Sequence, residues 1–326
     1  MMKKNKRYQV VVTRQIPISG ISLLKQAGFD VKVNPKDRVL KKEELKKFVK
    51  GTDAILSLLT DKIDAEILEA AGPELKIVAN YAVGYDNIKL EDCRKRKVMV
   101  TNTPGILTET VAEHAIGLLF AISQRIVEAD EFTRRGKFNG WAPMMFLGSD
   151  VREKTLGIIG LGRIGVEVAR RMADGFDLKI VYYDIKRSPT LEKKYKIHYL
   201  PLRTLLRTSD FVSVHVPLLP QTRHLIGWSA LKMMKKTAYL INTSRGPVID
   251  ERALVKALKQ KIIAGAALDV FENEPRLMPG LTKLENTVLT PHIASASVET
   301  RSKMSEMAAK NIIAALNAKT PPNLVK

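Results

Sequence analysis

A glycine-rich turn near the middle of the chain constrains its fold more than any other feature. The stretch TLGIIGLGRIGVEVARRM carries G-x-G-x-x-G as Gly160, Gly162 and Gly165. An apolar β-branched run precedes it and a segment of helical periodicity follows, the strand–turn–helix context in which this motif binds a dinucleotide. There Gly160 permits the tight turn, Gly162 lets backbone approach a pyrophosphate, and Gly165 lets helix and strand pack closely. The amides and positive dipole end of the helix then face the phosphates. The next run, LKIVYYD, ends in Asp184, nineteen residues after Gly165. A carboxylate there accepts hydrogen bonds from the adenosine ribose and repels a 2′-phosphate, which favours NAD. Lys186 and Arg187 follow at once and argue the other way, so NADP stays open.

The rest of the chain supports a layered α/β architecture. Short β-branched runs at 8–13, 29–33, 54–58, 75–80 and 98–102 alternate with helix-period segments, which predicts a parallel sheet flanked by helices. One helical stretch is expected over about 108–135, with Glu109 in its first turn and Gly136 after its end. An irregular segment, FNGWAPMMFLGSD, leads into a second alternation from KTLGIIG to TVLTPH, and a last helix is expected over about 296–316. A chain of 326 residues exceeds the usual single core, so two similar α/β domains are expected.

Composition narrows the partners. Lys and Arg total 54 against 34 Asp and Glu, a net charge of +20. That charge is scattered along helix faces such as KKEELKKFVK, without a basic tail or interleaved aromatics, so nucleic acid is disfavoured. The basic start of the chain is followed by too short an apolar run for a signal peptide, and no run is long enough to span a membrane. Cys93 is the sole cysteine, which excludes an intrachain disulfide and a cysteine-rich metal site. No metal is expected, and the cytoplasm is the expected compartment.

Catalytic groups for a nicotinamide cofactor belong at the carboxyl ends of the later strands. YLINTSRGPVID places Arg245 there, AGAALDVFENEP places Asp269 and Glu274, and TVLTPHIASAS places His292. Reducing a 2-keto acid needs a hydride donor, a cation for the carboxylate and a proton donor for the new alkoxide. Arg245 can grip the carboxylate with two N–H groups, and His292 can give the proton while Glu274 orients its ring. Taken singly, each has a plainer explanation: a helix-capping arginine, a surface carboxylate, a core histidine. Together, beside a dinucleotide motif, they read as a catalytic set.

At these residues the chain resembles the D-isomer-specific 2-hydroxyacid dehydrogenases. The resemblance runs through NYAVGYDNI, VTNTPGILTETVAEHAIGLL, LGIIGLGRIG, INTSRGPVIDERAL, AALDVFENEP and LTPHIASAS, and covers nearly the whole chain. Within the family it is most similar to glyoxylate/hydroxypyruvate reductase-like enzymes. The resemblance implies that Arg245, Glu274 and His292 are catalytic, with Arg245 and His292 also touching substrate. It implies that the backbone amides of Val83 and Gly84 bind the substrate carboxylate and that Leu59 lines the substrate side. Leu161, Gly162, Arg163 and Ile164 would supply pyrophosphate amides. Thr110, Pro217, Thr222 and Thr243 would border the cofactor, and Asp269 would contact its nicotinamide end.

The same resemblance implies a discontinuous substrate domain, 1–103 plus 296–326, around an inserted cofactor domain, 104–295, with hinge closure over a cleft. It implies a homodimer built on an arm at about 108–150, where Trp141 would pack at the partner's active-site mouth or simply in the interface. Asn80 and Val83 stand where phosphoglycerate and phosphite dehydrogenases carry basic residues, and Glu274 stands where formate dehydrogenases carry glutamine. Glyoxylate or hydroxypyruvate is therefore the first expectation and 2-ketogluconate the second, since one methylene changes binding by only ~1–3 kcal/mol. A dinucleotide-sensing corepressor or scaffold is the alternative of another class. The corepressors carry a tryptophan shortly after the histidine, where this chain reads HIASAS. L-specific dehydrogenases place the glycine motif near the N-terminus, and a whole α/β unit precedes it here.

Overall fold

Runs that are apolar at every position, rather than at alternate ones, suit strands covered on both faces. The computed structural model, which describes residues 7–325, forms strands at Gln9–Val12 (β1), Asp30–Val33 (β2), Ala54–Ser57 (β3), Ile77–Asn80 (β4) and Met99–Thr101 (β5), of which the edge strand β2 alternates and is only partly covered. All pair in parallel, in the order β2-β1-β3-β4-β5, and β3 and β4 are buried along their whole length. Helices Ile18–Gln26 (α1), Lys42–Phe48 (α2), Ala65–Ala71 (α3) and Leu90–Lys95 (α4) connect them. The C-terminal helix, Val298–Leu316, packs against α1 so closely that a Cβ on Gly20 would lie 2.2 Å from the Ser305 carbonyl oxygen. Its start is fixed by Ser297, whose Oγ accepts the Thr300 amide at 3.1 Å.

The second unit has seven parallel strands: Thr155–Ile159 (β6), Lys179–Tyr183 (β7), His198–Tyr199 (β8), Phe211–Val214 (β9), Tyr239–Asn242 (β10), Gly265–Leu268 (β11) and Thr287–Leu289 (β12). Their order is β12-β11-β10-β9-β6-β7-β8. Its helices are Thr108–Ser123 (α5), Ile126–Arg134 (α6), Arg163–Phe176 (α7), Pro189–Tyr195 (α8), Leu202–Thr208 (α9), Trp228–Leu231 (α10) and Glu251–Lys259 (α11). Val212, Val214 and Leu240 point into one apolar cluster with Leu205, Leu254 and Leu258. Phe211 and Ile241 point into the other with Leu119, Met172 and Tyr182. Strand alternation thus feeds a core on each face of the sheet.

The compact units are Met1–Leu107 with Ala296–Lys326, and Thr108–Ser295. The first change of unit falls at the start of α5, four residues beyond the expected 103/104 division, because 104–107 leads up to that helix without belonging to it. The single helix expected over 108–135 is two. The Ser123 carbonyl accepts the Ser149 amide at 2.8 Å, and Arg125 adopts φ 54°. A return segment that ends at Gly148–Ser149 therefore breaks the helix where its own periodicity does not. Among the described residues, no helix is long and apolar enough to cross a membrane.

Candidate active site

Strand order in the second sheet reverses at β6, which lies between β7 and β9. A crevice opens at the carboxyl ends of strands at such a switch point. The glycine turn occupies it. Gly160 adopts φ 96°, donates its amide to the Tyr183 carbonyl at 2.8 Å, and sits so near β9 that a Cβ would lie 2.8 Å from the His215 oxygen. A Cβ on Gly165 would lie 2.2 Å from the Gly160 oxygen, whereas one on Gly162 would meet nothing within 4 Å. Protein therefore fills the space beside two of the glycines, and the third faces open space at the N-terminus of α7. The Leu161 amide donates to Asp184 Oδ2 at 2.8 Å, fixing the acid beside the turn. Arg187 is gripped through two nitrogens by Glu192, at 2.8 and 2.7 Å, and this holds the Glu192 carboxyl down to about 2.

Pairing aligns Ile158, Ser213, Ile241, Ala267 and Val288 across five strands. Two residues further on, the same face presents Gly160, His215, Thr243, Asp269 and Thr290. Thr243 Oγ1 and His215 Nδ1 are buried and have no hydrogen-bond partner among the described residues. The other ring nitrogen of His215 meets Ser213 Oγ at 2.8 Å, and burial pulls the imidazole down to about 4, so it is neutral. An unmet buried polar group costs about 1–3 kcal/mol. Two of them, in line with a glycine turn and open helix amides, fit a ligand with phosphate at one end and neutral polar groups at the other. A dinucleotide matches that description.

Asp269 is 0 % exposed, and burial by itself would raise its pKa. Hydrogen bonds from His114, Thr290 and the amides of Ile293 and Ala294 outweigh burial and hold it below the usual carboxylate value. Thr290 Oγ1 donates to Oδ1 at 2.6 Å, Ile293 N to Oδ1 at 2.8 Å, and Ala294 N to Oδ2 at 2.8 Å. The Asp269 carbonyl takes the His292 amide at 2.8 Å. One residue thus fastens the whole loop around His292, which sits at φ 56°. Sequence resemblance points Asp269 at the cofactor; the geometry adds this second task.

His292 Nδ1 meets Glu274 Oε2 at 2.8 Å, and Glu274 Oε1 accepts the Phe271 amide at 2.9 Å. The ring is therefore oriented through Nδ1, and Nε2 is the nitrogen left for chemistry. Arg245 lies half-buried in the turn after β10. Asn242 shapes that turn, its Oδ1 accepting the Ser244 amide at 2.9 Å and its Nδ2 donating to the Arg245 carbonyl at 3.0 Å. Only glycine fits next, since a Cβ on Gly246 would lie 1.9 Å from Phe271 backbone. This contact sets the Arg245 turn directly against the turn that carries Glu274.

The remaining expected residues are dispersed. Thr110 is half-buried in the first turn of α5. Thr222 Oγ1 donates to the Pro217 carbonyl at 2.6 Å and accepts the Leu219 amide at 2.8 Å, so its hydroxyl is spent on closing that loop. Leu59, Val83 and Gly84 belong to the other unit. There Asn80 Nδ2 holds the Gly84 carbonyl and Asn102 Nδ2 holds the Val83 carbonyl, both at 2.8 Å. The carbonyls being taken, this turn offers N–H groups. Sequence reading passed over His114, whose Nε2 lies 3.1 Å from Thr290 Oγ1 and 3.4 Å from Asp269 Oδ1. Its i, i+4 spacing from Thr110 on one helix face was the available signal.

Residues 116–294 match the family model described as "D-isomer specific 2-hydroxyacid dehydrogenase, NAD binding domain". The chain is 54 % identical to a glyoxylate reductase of Korarchaeum cryptofilum over 97 % of its own length and 95 % of that protein's. It is 51 % identical to one from Thermofilum pendens, over 98 % and 94 %. Among solved structures it resembles an NADPH-dependent glyoxylate/hydroxypyruvate reductase from Sinorhizobium meliloti, in complex with NADP and malonate. That likeness has a TM-score of 0.85 at 32 % identity, covering 98 % of this chain and 97 % of the other. Over nearly its whole length the chain matches these proteins, and it belongs to the D-isomer specific 2-hydroxyacid dehydrogenase family.

Proposed function

We propose that the protein reduces glyoxylate, and hydroxypyruvate as a close second, to the 2-hydroxy acid, with NADH as the preferred donor. The observation that carries this reading is the 2.8 Å pairing of His292 Nδ1 with Glu274 Oε2, at the same carboxyl edge of the parallel sheet as the dinucleotide turn. Bound reduced nicotinamide supplies the hydride to the carbonyl carbon. His292 Nε2 gives the proton to the carbonyl oxygen as it becomes an alkoxide, and takes it back in the reverse direction. Glu274, anchored by the Phe271 amide, keeps the ring turned so that Nε2 faces the substrate. Arg245 binds the carboxylate and polarises the carbonyl. The resemblance also assigns the amides of Val83 and Gly84 to the substrate carboxylate and Leu59 to its small side group, and we include them in the proposal. Gly162, Arg163 and Ile164 present amides to the pyrophosphate, Asp184 takes the ribose, and Thr110, Pro217, Thr222, Thr243 and Asp269 border the rest of the cofactor.

NADH is preferred because Asp184 stands beside the turn while Arg187 is engaged by Glu192. We further infer a homodimer in the cytoplasm, with the discontinuous unit binding substrate and the inserted unit binding cofactor. Phe138, Trp141, Met144 and Leu147 are exposed on one segment, Trp141 at 82 %, and such an apolar series suits a second copy of the chain. Parallel assays of NADH and NADPH oxidation with glyoxylate, hydroxypyruvate, pyruvate and 2-ketogluconate test the reading. Turnover of either of the first two acids, lost in His292→Ala, is the expected result. Tight NADH binding with no turnover of any acid overturns it.

A further inference from the structure

We propose that His114 is a positioning residue: acting through Thr290 and Asp269, it holds the loop that presents His292. The inference rests on the dehydrogenase reading for what His292 does, whereas the tether is a property of the protein itself.

The direction of each hydrogen bond follows from the partners. Thr290 Oγ1 gives its proton to Asp269 Oδ1 at 2.6 Å, because an ionised carboxylate only accepts. The same hydroxyl oxygen, 3.1 Å from His114 Nε2, must then be the acceptor there, and the imidazole carries its proton on Nε2. The result is a relay, His114 to Thr290 to Asp269, in which each bond polarises the next, beside a direct approach of Nε2 to Asp269 Oδ1 at 3.4 Å. Asp269 in turn receives Ile293 N and Ala294 N, the two amides that follow His292, while its carbonyl receives the amide of His292 itself. His292 holds φ 56°, a conformation that a non-glycine residue keeps only when its surroundings impose it. Without the His114 donor, Thr290 has an unanswered lone pair and Asp269 loses part of the donor set that keeps a buried charge tolerable. The loop then gains freedom around His292.

His114 is suited to this work by its place in the fold. It lies on α5 one turn beyond Thr110, its side chain is partly exposed, and the apolar residues that seat the helix are others: Ala112, Ala115, Leu118 and Leu119. Replacing it removes a hydrogen bond rather than a core contact.

The test uses the full chain with His114→Leu, which removes the donor, and His114→Gln, which keeps an N–H at similar reach. Hydrogen exchange of the cofactor-free protein, read on the peptide that spans 290–294, reports the tether directly. Steady-state kinetics with glyoxylate and NADH report its consequence. Because small misplacement of a reacting group is costly, His114→Leu should speed exchange and lower kcat, each by about tenfold or more. KM for glyoxylate and Kd for NADH should stay within about threefold, and His114→Gln should recover most of both losses. Unchanged exchange and kcat in His114→Leu would overturn the proposal, as would a loss that His114→Gln fails to recover. Exchange that responds to His114 in a parent that turns over no 2-keto acid would support the tether and overturn the dehydrogenase reading instead.

Discussion

Glu274 faces His292 with one carboxylate oxygen, 2.8 Å from Nδ1, and the Phe271 amide with the other, 2.9 Å away. The glutamate is thereby fixed to its own turn before it fixes the ring. In its proposed role of general acid, His292 would contribute about 10²–10⁴-fold, so His292→Ala should lower kcat by that order while NADH fluorescence titration gives an unchanged Kd. Glu274→Ala should cost about tenfold or more by freeing the ring, and the double variant should be little worse than His292→Ala, because residues that act as a unit are not additive. Losses that multiply would mean that the two work independently.

The second pairing, Leu161 N to Asp184 Oδ2 at 2.8 Å, bears on cofactor choice. Asp184→Ala should weaken NADH and raise the NADPH-to-NADH affinity ratio by about tenfold, the scale of one charge-assisted contact. Glu192→Gln loosens Arg187, yet an ion pair at the surface is screened by solvent and contributes little, so a small further gain is the most expected. Fluorescence titration with both cofactors decides. A ratio that does not move in Asp184→Ala would remove Asp184 as the selector.

The three glycines of the turn should separate by what they touch. Gly165→Ala puts a Cβ 2.2 Å from a backbone oxygen that cannot swing away, so it should lower Tm by several degrees, about 1–3 kcal/mol of overpacking. Gly162→Ala meets nothing within 4 Å and has no positive φ, so Tm should hold while affinity for NADH falls. Calorimetry without cofactor, followed by titration, distinguishes them. A Gly162→Ala protein that binds NADH as the parent does would show that the pyrophosphate does not approach there.

Local patterns made much of this legible in sequence. β6, the glycine turn and Asp184 lie within thirty residues, and each is decided by its neighbours, so spacing alone identifies them. The place of His292, in the loop after β12, was readable because its strand, proline and loop are contiguous in LTPHIASAS. What escaped depends on contacts between distant segments. The break between α5 and α6 is made by Ser149 reaching back to the Ser123 carbonyl, which the periodicity of 108–135 cannot contain. His114 and Thr290 are 176 positions apart, and only the packing of α5 against β10, β11 and β12 brings them together. The meeting of the Arg245 turn with the Glu274 turn likewise depends on Gly246, a residue with no apparent signal until its missing Cβ is placed against Phe271.

Glu251 carries a cost that changes with pH. It opens α11, its Oε1 accepts the Glu272 amide at 2.6 Å, and its Oε2 is buried with no partner among the described residues. Burial, and then the neighbouring Glu272 and Glu274 charges, raise its pKa above 4.5. A carboxyl raised on folding adds stability below its unfolded value and loses it as pH climbs through the folded one. At neutral pH the ionised group is therefore a net burden, only partly offset by the helix dipole, which Asp250 at the N-cap already satisfies with its side chain on the Ala253 amide. Glu251→Gln keeps the Oε1 acceptor and discards the charge. Its Tm should exceed that of the parent at pH 7.5, and the difference should shrink to nothing as pH falls below 4.5. Thermal unfolding followed across that range checks the sign. A variant less stable than the parent at pH 7.5 would mean that the Glu251 charge is favourably met in the fold.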